Sequence, residues 1–207
     1  MEQKMFTVEM PKYLENLNLP DPDLLMLYQN YDQRIIWLDS EVDDDWLEYV
    51  RKIIQWNAED KNVPVEDRVP IKLVFFSPGG DLDINNMLID IVKLSKTKII
   101  GVNIGLACSA ACFIYLACHE RLTLPRAKFL LHSGSAEGIS GTAEQIEAYN
   151  AQYKKEIKLL KEYLIDECGL PKKLVDTKMR GEWFFDAKEA IELGVAHRIV
   201  ESLDEIV

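Results

Sequence analysis

The chain has 207 residues, 48% of them apolar and 29% charged, with 24 Lys+Arg against 35 Asp+Glu and a formal net charge of −11. That apolar share excludes a largely disordered chain, and the length suits one domain with an appendage. The acidic balance repels phosphate backbones and anionic bilayers, so neither nucleic acid nor a membrane surface is an expected partner.

The first thirty or so residues, with Pro11, Pro20 and Pro22 and no sustained period, read as an N-terminal arm or irregular segment over 1–33. A short β-branched strand follows at Ile35-Ile36-Trp37-Leu38. Trp46, Val50, Ile53 and Ile54 then fall near helical spacing, predicting an amphipathic helix over 42–56 and a surface loop over 57–68. Residues 69–76 read as a buried strand, broken by Ser77-Pro78-Gly79-Gly80, with a helix onward through Leu94. Another strand is expected over 98–104, ended by Gly105, and the small apolar run 106–118 reads as a buried helix. Short strands are expected at 122–124 and 128–131, on either side of Pro125.

The strongest local signal is Thr142-Ala143-Glu144-Gln145, a capping box followed by Ile146, Tyr149, Tyr153, Ile157, Leu160 and Leu164 at spacings of three and four. Gly169 and Pro171 close this helix, which at 1.5 Å per residue spans roughly 40 Å and is expected to pack on something outside its own core. Repeated strand-to-helix units make the fold class α/β with largely parallel strands.

No apolar run approaches the ~20 residues of a membrane helix. The opening residues Met1 to Phe6 lack the basic and apolar regions of a secretory signal. Cys108, Cys112, Cys118 and Cys168 form no CxxC pair, so a reduced, cytoplasmic protein is expected, with no disulfide framework, metal or cofactor.

Three features carry chemistry. His119 and His197 sit among charged residues, as surface histidines do, whereas His132 directly follows the apolar strand ending at Leu131. That is the strand end where α/β folds place reactive groups, although a polar cap on the strand is an equal reading. Ser109 lies among small residues at the start of an apolar helix, where a tight turn would expose its hydroxyl beside backbone N–H groups. The G-x-S-x-G pattern is absent, since Ala107 and Ala111 stand at its glycine positions, so taken by itself this serine is better read as a small residue chosen for close helix packing. The glycines after Ser77-Pro78 could let N–H groups approach a ligand. Together these are the parts of serine acyl transfer: nucleophile, base and oxyanion donors.

In these blocks the sequence resembles the proteolytic subunit of the Clp ATP-dependent protease. The similarity runs over 34–200, roughly four-fifths of the chain, through Arg34-Ile35-Ile36-Trp37-Leu38, Ser77-Pro78-Gly79-Gly80, the segment 105–113, Leu124-Pro125, Leu131-His132 and the segment 184–194. The resemblance implies the Clp/crotonase-type fold of stacked strand–strand–helix units, with a peptidase domain over 34–207. It implies Ser109 as nucleophile, His132 as general base, and the N–H groups of Gly80 and Ala110 as oxyanion hole. It further implies polypeptide substrates, a homo-oligomer of stacked rings interlocked by the long helix as a projecting handle, and a Clp-type ATPase unfoldase as partner.

The third triad position departs from the family. Its aspartate is replaced by Glu182 in Glu182-Trp183-Phe184-Phe185-Asp186-Ala187. Asp186 is an alternative, but Asp186-x-x-Glu189 is itself a capping box, and Asp176 falls in a surface helix. Glu182 is therefore preferred. Ser133-Gly134 also replaces the family's proline after the histidine, Ala110-Ala111 replaces Met-Gly, and Asn85 replaces a glycine. The altered acid leaves two other readings open: a catalytically impaired ClpP-like paralogue serving as a structural ring subunit, or an acyl-CoA-binding crotonase-fold protein.

Overall fold

The computed structural model describes residues 21–135 and 139–206. The chain divides into two compact units, 1–33 and 34–207. In the first, helix α1 (Pro22–Asp32) replaces the irregular segment expected there, and the part of that expectation over 1–20 lies outside the described residues. Asp21 caps it by accepting the Asp23 N–H at 2.9 Å, and Pro22 stands at its first position. No residue of α1 is buried, which is why no apolar period marks it.

The second unit starts with β1 (Ile35–Leu38), and a single 3-10 turn at Asp44–Trp46 leads into α2 (Leu47–Glu59). The helix therefore begins later and ends later than its apolar spacing suggests, and 3-10 turns at Asp60–Asn62 and Val65–Asp67 occupy the expected loop. Then come β2 (Ile71–Ser77), α3 (Leu82–Leu94), β3 (Ile99–Cys108), α4 (Ala110–Ala117), β4 (Glu120–Thr123) and β5 (Lys128–Leu131). Helices α5 (Ala143–Cys168) and α6 (Lys172–Lys178), strand β6 (Trp183–Asp186), helix α7 (Ala187–Glu192) and strand β7 (Arg198–Ile199) complete it.

The strands β1-β2-β3-β4-β7 form one parallel path, while β5 leaves it, pairing parallel with β3 and antiparallel with β6. The branch arises inside β3. Up to Asn103 that strand pairs with β4, and from Leu106 it pairs with β5. At the same place its register against β2 slips between Phe75 and Phe76.

Gly105 was expected to end the strand, and it instead sits within this irregularity. A Cβ there would lie 2.9 Å from the Phe76 ring. The buried Asn103 amide stitches the bend, donating to the Lys128 carbonyl and accepting the Gly105 N–H, both at 3.0 Å. Leu106, Ala107 and Cys108 are thus strand rather than helix, and the buried helix begins only at Ala110.

Ile35, Val74, Val102, Leu122, Val200 and Ile206 form one buried cluster. Every residue of α4 is buried, and Tyr115 of α4 contacts the Phe75 and Phe129 rings at 5.5 Å. Burying one such aliphatic side chain contributes about 1.5–3 kcal/mol, so the sheet and α4 contribute heavily to the stability of this unit.

Helix α5 has the expected start and stop, a complete capping box at Thr142 and Gln145 and a left-handed Gly169 at φ 63. Its first ten residues are exposed on all sides, and only Leu160 and Leu164 are buried. The expected apolar stripe therefore meets the core only in its C-terminal half, leaving Ile146 and Tyr149 41% and 60% exposed.

Candidate active site

The pairing of β3 with β5 positions the site. Cys108 stands opposite Leu130, so Ser109, one residue on from Cys108, and His132, two residues on from Leu130, come together at the same sheet end. The Ser109 N–H donates to the Leu130 carbonyl at 2.7 Å, locking the junction between β3 and α4 onto β5. Ser109 there adopts φ 51, a conformation costing about 1–3 kcal/mol for a residue with a side chain and typically held by functional turns. This strand-to-helix turn lifts the hydroxyl toward the imidazole. His132 Nε2 and Ser109 Oγ are 2.7 Å apart.

On the other side of the imidazole, Nδ1 lies 3.7 Å from Glu182 Oε1, longer than a hydrogen bond. The glutamate side chain is 60% exposed and the histidine side chain 22%. Asp186 is engaged elsewhere, accepting the Lys188 and Glu189 N–H groups at 2.9 and 3.0 Å as the N-cap of α7. Asp176 faces Lys161 at 3.9 Å, on α6. Among the three acidic residues singled out in the sequence, only Glu182 is brought to the imidazole.

The turn after β2 closes the site from the third direction. Gly79, buried and at φ 97, lies so near that an added Cβ would stand 2.7 Å from Ser109 Cβ and 3.0 Å from the Ala110 nitrogen. Its N–H is taken by Ser77 Oγ at 3.2 Å, and its carbonyl accepts the Val42 N–H at 2.8 Å. Gly80 follows at φ 151, where a Cβ would collide with the Val42 carbonyl at 2.3 Å. Among the described residues, neither the Gly80 N–H nor the Ala110 N–H donates a backbone hydrogen bond. Ala110 is also the first residue of α4, where the helix dipole favours negative charge.

The cysteines beside the serine are poor nucleophiles. Burial, with a smaller contribution from the Glu182 carboxylate, pushes the Cys108 thiol up to about 11, and burial pushes Cys112 well above the ordinary thiol range. All four cysteines are free, and no group of three or more potential ligands able to hold a metal occurs among the described residues. No helix among them is long and apolar enough to cross a membrane.

A model of the Clp protease family matches residues 24–203. The chain belongs to that family. Its relatives include ATP-dependent Clp protease proteolytic subunit 1 of Streptomyces avermitilis, 30% identical over 179 residues that cover 84% of this chain and 78% of the relative. ATP-dependent Clp protease proteolytic subunit 2 of Pseudomonas aeruginosa is 30% identical over 139 residues, 66% of this chain and 69% of that one. A solved ClpP1 mutant from Listeria monocytogenes superposes with a TM-score of 0.73 at 19% identity, over 88% of this chain and 99% of that structure, and this likeness carries the fold. As a member of the Clp protease family the chain is a ClpP-like peptidase, a hydrolase by class.

Sequence reasoning missed three contributors to this arrangement. The Leu130 carbonyl that holds Ser109 is a main-chain group with no sequence signature. Gly79 was visible only as part of a turn, whereas its lack of a side chain is what admits Ser109. The segment after His132 is held by the end of α6 and by α5, since the Ser133 N–H donates to the Met179 carbonyl at 2.9 Å and Tyr153 Oη donates to the Ser133 carbonyl at 2.8 Å. In the sequence Tyr153 is only one member of an apolar stripe.

Proposed function

We propose that this ClpP-like chain is a serine endopeptidase that cleaves polypeptides inside an oligomeric chamber, with Ser109, His132 and Glu182 as its catalytic residues. The observation that carries the reading is the 2.7 Å contact between His132 Nε2 and Ser109 Oγ on a strained strand-to-helix turn. Ser109 Oγ attacks the scissile carbonyl carbon while His132 Nε2 takes its proton. The carbonyl oxygen becomes an oxyanion facing the N–H groups of Gly80 and Ala110, whose donors have no competing backbone acceptor. Collapse of the tetrahedral intermediate breaks the C–N bond, and His132 returns the proton to the leaving amine. Water, deprotonated by His132, then hydrolyses the acyl-enzyme and restores Ser109. Glu182 stabilises the imidazolium formed in each half-reaction. Stacked homo-oligomeric rings, a Clp-type ATPase feeding the chamber and a cytoplasmic location complete the proposal, supported by family membership, the exposed first half of α5 and the free thiols.

Labelling with a fluorophosphonate tests it. The assembled protein is expected to form an adduct on Ser109, and Ser109→Ala and His132→Ala are each expected to remove peptide turnover about as completely as both together, as coupled members of one machine do. A folded, assembled protein with no adduct and no turnover overturns the proposal. The 3.7 Å gap to an exposed Glu182 favours one second reading, a ring subunit with impaired catalysis, for which labelling would be absent while assembly persists.

A further inference from the structure

We propose that a cationic groove beside His132 selects polypeptides carrying a carboxylate near the scissile bond; the idea names the substrate class of the site proposed above and rests on that reading.

The groove, about 460 Å³, runs between α5 and α6 and is bounded at one end by Ser133, the residue after His132. Lys154, Lys158 and Lys161 line it from one face of α5, at the spacing of four and three that aligns side chains along a helix, and Lys172 joins them from the start of α6. Among the described residues, two carboxylates, Glu162 and Asp176, share the lining. Counted over the described residues, the lining carries a surplus of two positive charges in a chain whose net charge is −11.

Those two carboxylates do not saturate the ammonium groups. Lys158 and Glu162 are 3.6 Å apart, and Lys161 and Asp176 are 3.9 Å apart, both beyond hydrogen-bonding distance. The Lys161 side chain is only 19% exposed, and Asp176 at 3.9 Å gives its ammonium no close anionic partner. A carboxylate entering the groove would supply one, through the short charge-assisted contacts that lysine makes.

The groove also has a fixed relation to the imidazole. Both Ser133 Oγ and the Ser133 N–H donate to the Met179 carbonyl, at 2.7 and 2.9 Å, and the Ser133 carbonyl accepts from Tyr153 Oη. With that donor occupied, a polypeptide passing Ser133 receives no main-chain hydrogen bond from its N–H, and recognition there falls to side chains. The three lysines of α5 span roughly 10 Å at 1.5 Å per residue, equal to about three residues of extended peptide. Because Ser133 both lines the groove and follows His132, the proposal puts the selected carboxylate within a few residues of the bond cleaved.

Two measurements separate this idea from the catalytic reading. In the first, Ser109→Ala protein is titrated with fluorescent peptides that differ only in Glu or Gln flanking the scissile position, each with a free or amidated C-terminus. The Glu peptide is expected to bind about three- to tenfold tighter than its Gln twin, with the gap closing near 1 M salt, where the Debye length falls to about 3 Å. Charge reversal at exposed positions, in Lys154→Glu/Lys158→Glu and separately in Lys172→Glu, is expected to abolish or invert the preference. A preference that follows amidation instead assigns the groove to a chain-terminal carboxylate. Equal binding of all four peptides, or a preference that survives both charge reversals, overturns the proposal. In the second measurement, wild-type turnover of the same peptides is followed. Carboxylate-dependent binding without any turnover would overturn the peptidase reading alone, and turnover with indifferent binding would overturn the groove alone.

Discussion

Glu182 is where residue chemistry departs furthest from a tight triad. A carboxylate 3.7 Å from Nδ1 and largely exposed can steady an imidazolium, but solvent screens it more than a buried one. Glu182→Gln is therefore expected to lower kcat by about ten- to a hundredfold, well short of the ~10⁴ that a buried triad aspartate contributes. Asp186→Asn serves as the contrast. That residue caps α7, so its loss is expected to reduce stability by about 1 kcal/mol or less while leaving fluorophosphonate labelling unchanged. Parallel labelling rates and thermal melts of the two variants check both outcomes. Loss of labelling in Asp186→Asn with unchanged labelling in Glu182→Gln would reverse the assignment. Asp186 could be set aside from the sequence because a capping box is a local pattern, whereas the gap between Glu182 and His132 is set by β6 lying antiparallel on β5.

Among the elements, the two histidines outside the site share one structural device. The His119 N–H donates to the Ile99 carbonyl at 2.9 Å, while its ring Nδ1 accepts the Ile99 N–H at 3.0 Å. His197 repeats the arrangement one strand further on, bonding the Arg121 carbonyl at 2.8 Å and accepting the Arg121 N–H at 3.1 Å. Each ring thus ties the start of one strand to the segment entering the next. Desolvation holds both imidazoles below their ordinary value, helped at His197 by Arg121 and at His119 by Lys93 and Lys98.

The sign of the resulting pH dependence follows from that depression. A folded-state value below the unfolded one favours the neutral ring, so the stabilisation is present above about pH 6.5 and is lost as pH falls through the lower folded values. A melting temperature that declines between pH 7 and pH 5 is expected, with a shallower decline in His119→Gln/His197→Gln. An unchanged slope in that variant would refute the role. The sequence marked these residues as ordinary surface histidines, because nothing local reveals a ring nitrogen accepting from a strand twenty or more residues away.

For the molecule as a whole, the junction between the two compact units falls at Arg34, a non-glycine residue at φ 56. Its guanidinium holds Asp60 through bonds of 2.6 and 2.8 Å, and Thr97 Oγ1 donates to the same carboxylate at 2.7 Å. These bonds, the Arg34 one foremost, keep the Asp60 carboxyl below the usual range against the opposing effect of burial. A depressed folded value means that the stabilisation is present above the unfolded carboxyl pKa near 4 and is lost as pH falls through the folded value. Asp60→Ala leaves Arg34 and Thr97 without their anion, and about 3 kcal/mol of destabilisation is expected at neutral pH, shrinking toward zero in acid. Urea titrations at neutral and acidic pH check it, and an equal loss at both would remove the ion pair as the cause.

What the sequence determined by itself was governed by neighbours along the chain. The capping boxes at Thr142 and Asp186, the glycine stop of α5, the buried strands and the serine, histidine and Gly-Gly blocks all follow from residues a few positions apart. Helix α1 escaped because it buries no side chain and so carries no apolar period. Tertiary structure alone decided that β3 runs past Gly105 and changes partner from β4 to β5, because strand pairing is settled by hydrogen bonds and packing between distant segments. That change of partner carries Ser109 to the end of β5, where His132 stands, and so turns separate short patterns into one site.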